Sequence, residues 1–205
     1  MTRSFGRFAG LASLAVAFGA LLYASLFVAI VEGGGLTTSK LWFFTLMVGG
    51  AATIPVVVAL YLLVRDTDAG FALTALVLGL FAALGGITHG AYNLGAKVTP
   101  PVEGVAGPNE EAVAHGVLRY LLAGVFFLLM AWLVARDGRL PRALAYVGAL
   151  AGAALVFVYV GRLYDFITPE SYVRLIPPLL YGFVLHPLWY GWLGLLLWRG
   201  LPRRT

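Results

Sequence analysis

The sequence predicts an all-α membrane protein, a polytopic bundle of six transmembrane helices with both termini in the cytoplasm. The chain has 205 residues, of which 61% are hydrophobic and only 11% are charged. A soluble domain of this size carries about 25% charged residues. Long uncharged stretches recur along the chain, and most arginines lie beside alternate ends of them. We therefore expect a single transmembrane domain over residues 1–205, with the lipid bilayer as its surroundings.

Six stretches are long enough to cross the hydrocarbon core, which takes about 20 apolar residues in a helix. The first stretch, 8–31, is longer than the apolar part of a cleaved signal peptide, so we expect a retained helix. None of the stretches alternates as a strand does, and each exceeds the length of a barrel strand. The predicted spans are residues 8–31, 41–64, 71–92, 111–135, 142–161 and 175–198.

The connections between these spans are short except for the third, from Asn93 to Asn109, which is rich in Pro and Gly. Inside the spans, glycines recur at four-residue spacing, which allows two helices to approach closely. We expect these glycines to serve packing within the bundle. They form two pairs, Gly86 with Gly90 and Gly148 with Gly152.

The orientation follows from the lysines and arginines, which are enriched on the cytoplasmic side of membrane proteins. With the N-terminus inside, the inner side holds most of the 14 basic residues. An even number of spans then places the C-terminus inside as well. The inner residues are Arg3, Arg7, Arg65, Arg136, Arg139, Arg142, Arg199, Arg203 and Arg204, and the outer ones are Lys40, Lys97, Arg119, Arg162 and Arg174.

Composition also excludes several functions. The chain has no cysteine, which excludes disulfides, thiolate metal sites and a cysteine nucleophile. The net charge of +5 comes from residues beside apolar spans, so it indicates membrane orientation and not a nucleic-acid partner. The sequence holds no serine-hydrolase, phosphate-loop or H-E-x-x-H motif.

Three segments resemble a known group of proteins. They read AWLVARDGRLPRALAYVG at 131–148, HPLWYGWLGLLLWRG at 186–200 and THGAYNLG at 88–95. Together they resemble a group of uncharacterised bacterial six-helix membrane proteins classed as a domain of unknown function, and the likeness covers most of the chain. The resemblance implies a bacterial cell membrane and supplies neither an activity nor catalytic residues.

The candidate ligand-binding residues are the ionisable side chains within the spans, because such groups cost free energy in lipid and tend to be functional. A rise of about 1.5 Å per residue places four of them in one layer near the outer boundary, with His186 deeper. Glu111, His115 and Arg119 are four residues apart and share one helix face. The four residues of the layer are His89, His115, Arg119 and Arg162.

Three interpretations of this layer stay open. His89, Glu111 and His115 could bind a divalent metal such as zinc, with water as the fourth ligand. His89 and His115, at matched depth, could instead ligate a haem between two helices. In the structural interpretation, Arg119 extends outward to pair with Glu111 or Asp165, and the histidines hydrogen-bond the third loop.

His186 precedes Pro187 within the sixth span. Proline lacks the backbone donor, so the carbonyl of Phe183 loses its helical partner and the helix is expected to deform there. An ionisable group beside such a deformation is typical of a binding pocket, although a hydrogen bond from His186 to a neighbouring helix would explain it equally. Pro55 in the second span allows the same two interpretations.

Two functions remain open from the sequence. The first is non-enzymatic: binding or passage of a small or lipophilic ligand, or service as a subunit of a homo-oligomer or membrane complex. The second is an intramembrane enzyme or redox protein that uses a metal or haem at His89 and His115. The absence of a repeat and of acids in mid-span argues against an ion-coupled transporter.

Overall fold

In the computed structural model, six helices are long and apolar enough to cross a membrane, counted over the described residues, 1–99, 110–164 and 176–200. Within these ranges the side chains of 110–117, 162 and 177 are not described. The predicted all-α, six-span fold is confirmed. The helices are α1 (Arg3–Val31), α2 (Leu36–Val64), α3 (Ala69–Val98), α4 (Glu110–Asp137), α5 (Arg142–Leu163), α6 (Ile176–Leu180) and α7 (His186–Arg199), with a π-helical turn, Tyr181–Leu185, between α6 and α7.

The helices run alternately up and down, and the ring closes where α1 packs against α7. The first and last helices are antiparallel. Gly6, near the start of α1, lies near Leu197 at the end of α7, whereas Ala24, late in α1, lies near Gly182 in the π-helical turn before α7. The start of α1 and the end of α7 therefore lie at the same end of the bundle, which we call the terminal side. The opposite end is the far side.

Glycines let neighbouring backbones touch at the helix seams. A Cβ added at Gly10 on α1 would lie 2.8 Å from the amide nitrogen of Trp198 and 2.9 Å from the carbonyl oxygen of Gly194. On α5, a Cβ at Gly152 would lie 2.7 Å from the carbonyl oxygen of Gly124. Gly90 on α3 meets the backbone of α2 in the same way. The predicted glycine packing within the bundle is confirmed at Gly90 and Gly152.

The third helix is longer than the sequence predicts. The predicted span ends at residue 92 and the predicted loop begins at Asn93, but α3 continues to Val98. The Asn93 side chain donates to the carbonyl oxygen of His89 at 2.8 Å, so this residue joins the helix instead of ending it. The helix ends at Val98. The next residue, Thr99, has an extended backbone (φ −88°, ψ 124°), which is the conformation that a following proline favours.

The outer surface is apolar, as expected of a protein surrounded by lipid. Phe18 is 70% exposed and Leu150 60% exposed, although both lie in the middle of their helices. In a soluble bundle the outward faces would be polar. The interior holds a second apolar set, contributed chiefly by α2, α4 and α7: Val56, Val57, Leu60, Phe127, Met130, Leu133, Trp189 and Leu193.

Hydroxyl side chains inside the spans are satisfied by backbone carbonyls, as a medium without water requires. Ser13 is fully buried and donates to the carbonyl oxygen of Tyr190 at 2.7 Å, which ties α1 to α7. Other hydroxyls donate within their own helix to the residue four positions earlier. They are Ser25, Thr45, Thr53, Thr74 and Thr88.

A buried ion pair joins two loops on the terminal side. Arg139 donates to both carboxylate oxygens of Asp137 at 2.8 Å, and the Asp137 side chain is only 1% exposed. Thr67, between α2 and α3, donates to the same carboxylate at 3.0 Å. Arg139 also donates to the carbonyl oxygen of Leu63 at the end of α2. This group, the loop clamp, connects the α2–α3 loop to the α4–α5 loop.

Candidate functional site: an arginine among tyrosines inside the bundle

Arg119 turns into the bundle instead of extending toward the far side. Its Nη2 atom lies 3.4 Å from the hydroxyl of Tyr23 on α1 and 3.3 Å from that of Tyr120. The guanidinium carbon lies 4.9 Å from the centre of the Tyr120 ring, a cation–π geometry. Gly85 and Gly86 on α3 leave the space that the arginine occupies, since a Cβ at Gly85 would lie 3.2 Å from the Arg119 Cβ.

A charged group inside a membrane bundle needs compensation. The guanidinium stays protonated in proteins and can only donate hydrogen bonds. Both hydroxyl contacts exceed the usual donor–acceptor range of about 2.7–3.2 Å. No carboxylate among the described side chains lies within ion-pair distance of Arg119. Among the described side chains, the hydrogen-bond partners of Arg119 are therefore the two tyrosine hydroxyls.

His186 lies among aromatic rings at the junction of the π-helical turn and α7. Its ring centre is 5.0 Å from that of Tyr181, 4.5 Å from that of Tyr190 and 6.4 Å from that of Phe127 on α4. The His186 Nδ1 atom is buried and has no hydrogen-bond partner in the described part of the chain. A buried polar atom without a hydrogen-bond partner is uncommon in native proteins.

The π-helical turn explains the pairing of Tyr181 with His186. The backbone N–H of His186 donates to the carbonyl of Tyr181, five residues earlier, so the two side chains lie on one face, with ring planes at 61°. In an α-helix this spacing would turn them well apart. The sequence predicts a deformation before Pro187, and the structure shows one of π type. Such turns are frequent at functional sites.

These two groups form one polar cluster. They are adjacent, because a Cβ added at Gly182, next to Tyr181, would lie 3.1 Å from the Cβ of Ala24, next to Tyr23. On the other side, Tyr190 faces the Thr53 hydroxyl of α2. We call the set the Arg119 cluster, and it combines side chains from α1, α4, the π-helical turn and α7. Its members are Arg119, Tyr23, Tyr120, Tyr181, His186 and Tyr190.

His89 has a different environment. Its Nδ1 atom lies 3.3 Å from the side-chain nitrogen, Nδ2, of Asn93, one turn further along α3. Its ring meets Phe43 of α2 edge-on, with ring centres 6.1 Å apart. These contacts hold the ring between α2 and α3.

The remaining predicted site residues fall where side chains are not described. Glu111 and His115 belong to α4 and Arg162 to α5, but the structure gives no side-chain placement for them, and Asp165 lies outside the described residues. The metal site of His89, Glu111 and His115, the haem site and the ion pair of Arg119 with Glu111 or Asp165 therefore stay predictions. Among the described side chains, no three His, Asp or Glu residues lie together.

Sequence reasoning missed the aromatic members of the cluster. The sequence argument selects candidate site residues by their charge, and the tyrosines beside Arg119 and His186 carry none. A usable signal exists in the sequence. Tyr23 lies eight positions before the end of α1 and Tyr120 ten positions after the start of α4, which is too deep for a boundary belt.

Comparison with models of protein families, with curated proteins and with solved structures gives no match.

Proposed function

We propose that this chain is a multi-pass protein of the bacterial cell membrane that binds or passes a small lipophilic ligand, with the Arg119 cluster as the binding site. One observation carries the proposal: an arginine points into the interior of a transmembrane bundle, and its partners among the described side chains are tyrosine hydroxyls. Ionisable groups held inside membrane bundles usually serve ligands, ions or protons.

The neighbouring groups support a ligand with a polar head and an apolar body. Arg119 supplies donors, and the unpartnered Nδ1 of His186 supplies a further polar contact. The rings of Phe127, Tyr181 and Tyr190 surround the His186 ring with apolar area. Sites for small molecules combine mostly apolar walls with a few placed polar groups, as this cluster does.

The sequence hypotheses of a complex subunit and of a metal or haem protein remain predictions, and no described contact favours either over ligand binding. The proposed bacterial origin follows from the resemblance described above. A bundle of this kind needs no soluble domain to bind a ligand from the bilayer.

The test is the loss of co-purifying ligand in an arginine variant. We expect organic extraction and mass spectrometry of purified wild-type protein to give a bound lipophilic compound that Arg119→Gln loses. Arg136→Gln is the matched control, because Arg136 lies on the same helix and also over an aromatic ring, 4.5 Å from Trp132. Equal ligand content in wild type and Arg119→Gln would contradict the proposal.

We also propose that both termini face the cytoplasm. The basic residues of the terminal side outnumber those of the far side, and the bias grows once Arg119 is placed inside the bundle. We expect a green fluorescent protein fused at the C-terminus to fluoresce and an alkaline phosphatase fused there to be inactive. An active phosphatase fusion together with a non-fluorescent green fluorescent protein fusion would show the opposite orientation.

A further inference from the structure

The Trp42 indole provides a second unsatisfied donor beside the arginine. Its Nε1 atom is buried and makes no hydrogen bond to any described residue. The indole stacks on the Tyr23 ring, with centres 5.1 Å apart and planes at 25°. Tyr23 is the residue whose hydroxyl accepts from Arg119. Arg119 and Trp42 thus flank the same tyrosine, one at its hydroxyl and the other at its ring face.

Both groups can donate hydrogen bonds and neither can accept one. An indole N–H is a donor only, and a guanidinium offers five donors and no acceptor. Among the described residues, the hydrogen-bond partners of Arg119 are two hydroxyls, at 3.4 and 3.3 Å, and both contact its Nη2 atom. A buried cation with surplus donors is stabilised by an oxygen-rich anion, because charge-assisted hydrogen bonds are the strong ones.

We propose that the ligand of the Arg119 cluster is an anionic amphiphile, whose carboxylate or phosphate head is held by Arg119 and the Trp42 indole. The inference rests on the proposed function and names its substrate class. Guanidinium groups match both heads, since their parallel N–H groups bind two oxygens at once.

The surroundings favour an amphiphile over a free ion. The residues next to the cluster in the chain are exposed leucines, namely Leu22, Leu118 and Leu180, with exposures of 41%, 45% and 46%. These face the lipid at the depth of Tyr23, Arg119 and Tyr181. A lipid-like molecule reaches this depth with its tail in the bilayer, whereas a free ion loses its hydration and gains no such apolar contact.

The experiment compares charged and uncharged amphiphiles of equal chain length. Purified protein in detergent is titrated with hexadecyl phosphate, palmitate or hexadecanol, and inorganic phosphate and acetate are added as competitors. We expect saturable binding of the two anions, weakened more than tenfold by Arg119→Gln and about tenfold by Trp42→Phe. Trp132→Phe is the matched control, since Trp132 contacts Phe71 and Arg136 away from the cluster, and it should bind as the wild type does.

The outcomes separate this inference from the proposed function. Equal binding of hexadecanol and hexadecyl phosphate, both lost in Arg119→Gln, would overturn the anionic head and leave ligand binding standing. If inorganic phosphate displaced the bound anion as effectively as hexadecyl phosphate does, the proposal that the ligand is an amphiphile would be overturned. If Trp42→Phe bound the two anions as tightly as Trp132→Phe does, the Trp42 indole would not be part of the site. Absence of saturable binding for every probe would overturn both proposals. Melting temperatures of all variants near that of the wild type exclude misfolding as the cause.

Discussion

Asp137→Ala is expected to destabilise the bundle by about 3–5 kcal/mol, because it leaves a partly buried guanidinium without its carboxylate. The Arg139 side chain is only 18% exposed, and Asp137 satisfies it at two oxygens. Without Asp137, the described partner that remains for Arg139 is the Leu63 carbonyl. The loss is measurable as a lower free energy of unfolding in mixed micelles with increasing dodecyl sulfate, followed by tryptophan fluorescence.

Two controls distinguish the buried pair from a surface one. Asp66→Ala removes a carboxylate that lies 3.8 Å from Arg65, but these side chains are 61% and 51% exposed, so we expect a change below about 1 kcal/mol. Asp137→Leu combined with Arg139→Met removes both charges and should cost less than Asp137→Ala alone. A double variant as unstable as Asp137→Ala would show that the uncompensated charge is not the cause.

Gly10→Ala is expected to destabilise the seam between α1 and α7 by about 1–3 kcal/mol, as overpacking of a tight interface does. The three atoms nearest an added Cβ all belong to the α7 backbone, at 2.8, 2.9 and 3.3 Å. A backbone cannot rotate away as a side-chain end can, so the two helices must separate. Unfolding in mixed micelles measures this loss too.

Gly49→Ala is the matched control for this substitution. Gly49 lies inside α2, and a Cβ added there would have no neighbour within 4 Å. Alanine is also the better helix former, so we expect unchanged or slightly higher stability. If Gly10→Ala and Gly49→Ala had the same stability, backbone contact at the seam would not limit the packing of α1 on α7.

Most of the fold was predictable from the sequence, because length and apolarity of a span depend on local composition. The structure departs from the prediction where side chains compete with local signals. The sequence predicts a loop from Asn93, but the side-chain amide of this residue donates a hydrogen bond to the carbonyl oxygen of His89 within α3. Closure of the ring through Gly10 and Gly194 was not predictable either, since contacts between the first and last helices leave no trace in local periodicity.

The candidate site was predictable only in part. Arg119 and His186 are predicted from the sequence because ionisable groups in a span cost free energy, and both belong to the cluster that the structure shows. The direction of the Arg119 side chain was not predictable, because it depends on the space left by Gly85 and Gly86 on another helix. Trp42 was not predictable, because only the three-dimensional environment shows that its N–H has no acceptor among the described residues.

The π-helical turn keeps the last helix in register despite one extra residue. One residue more than an α-helical turn needs is accommodated between Tyr181 and His186. If the turn became α-helical with that residue retained, everything downstream would rotate by roughly 100°, and Trp189 and Leu193 would turn from the interior toward lipid. Deleting one residue as the turn becomes α-helical would leave the downstream faces nearly unchanged, so the extra residue and the π turn are kept or lost together.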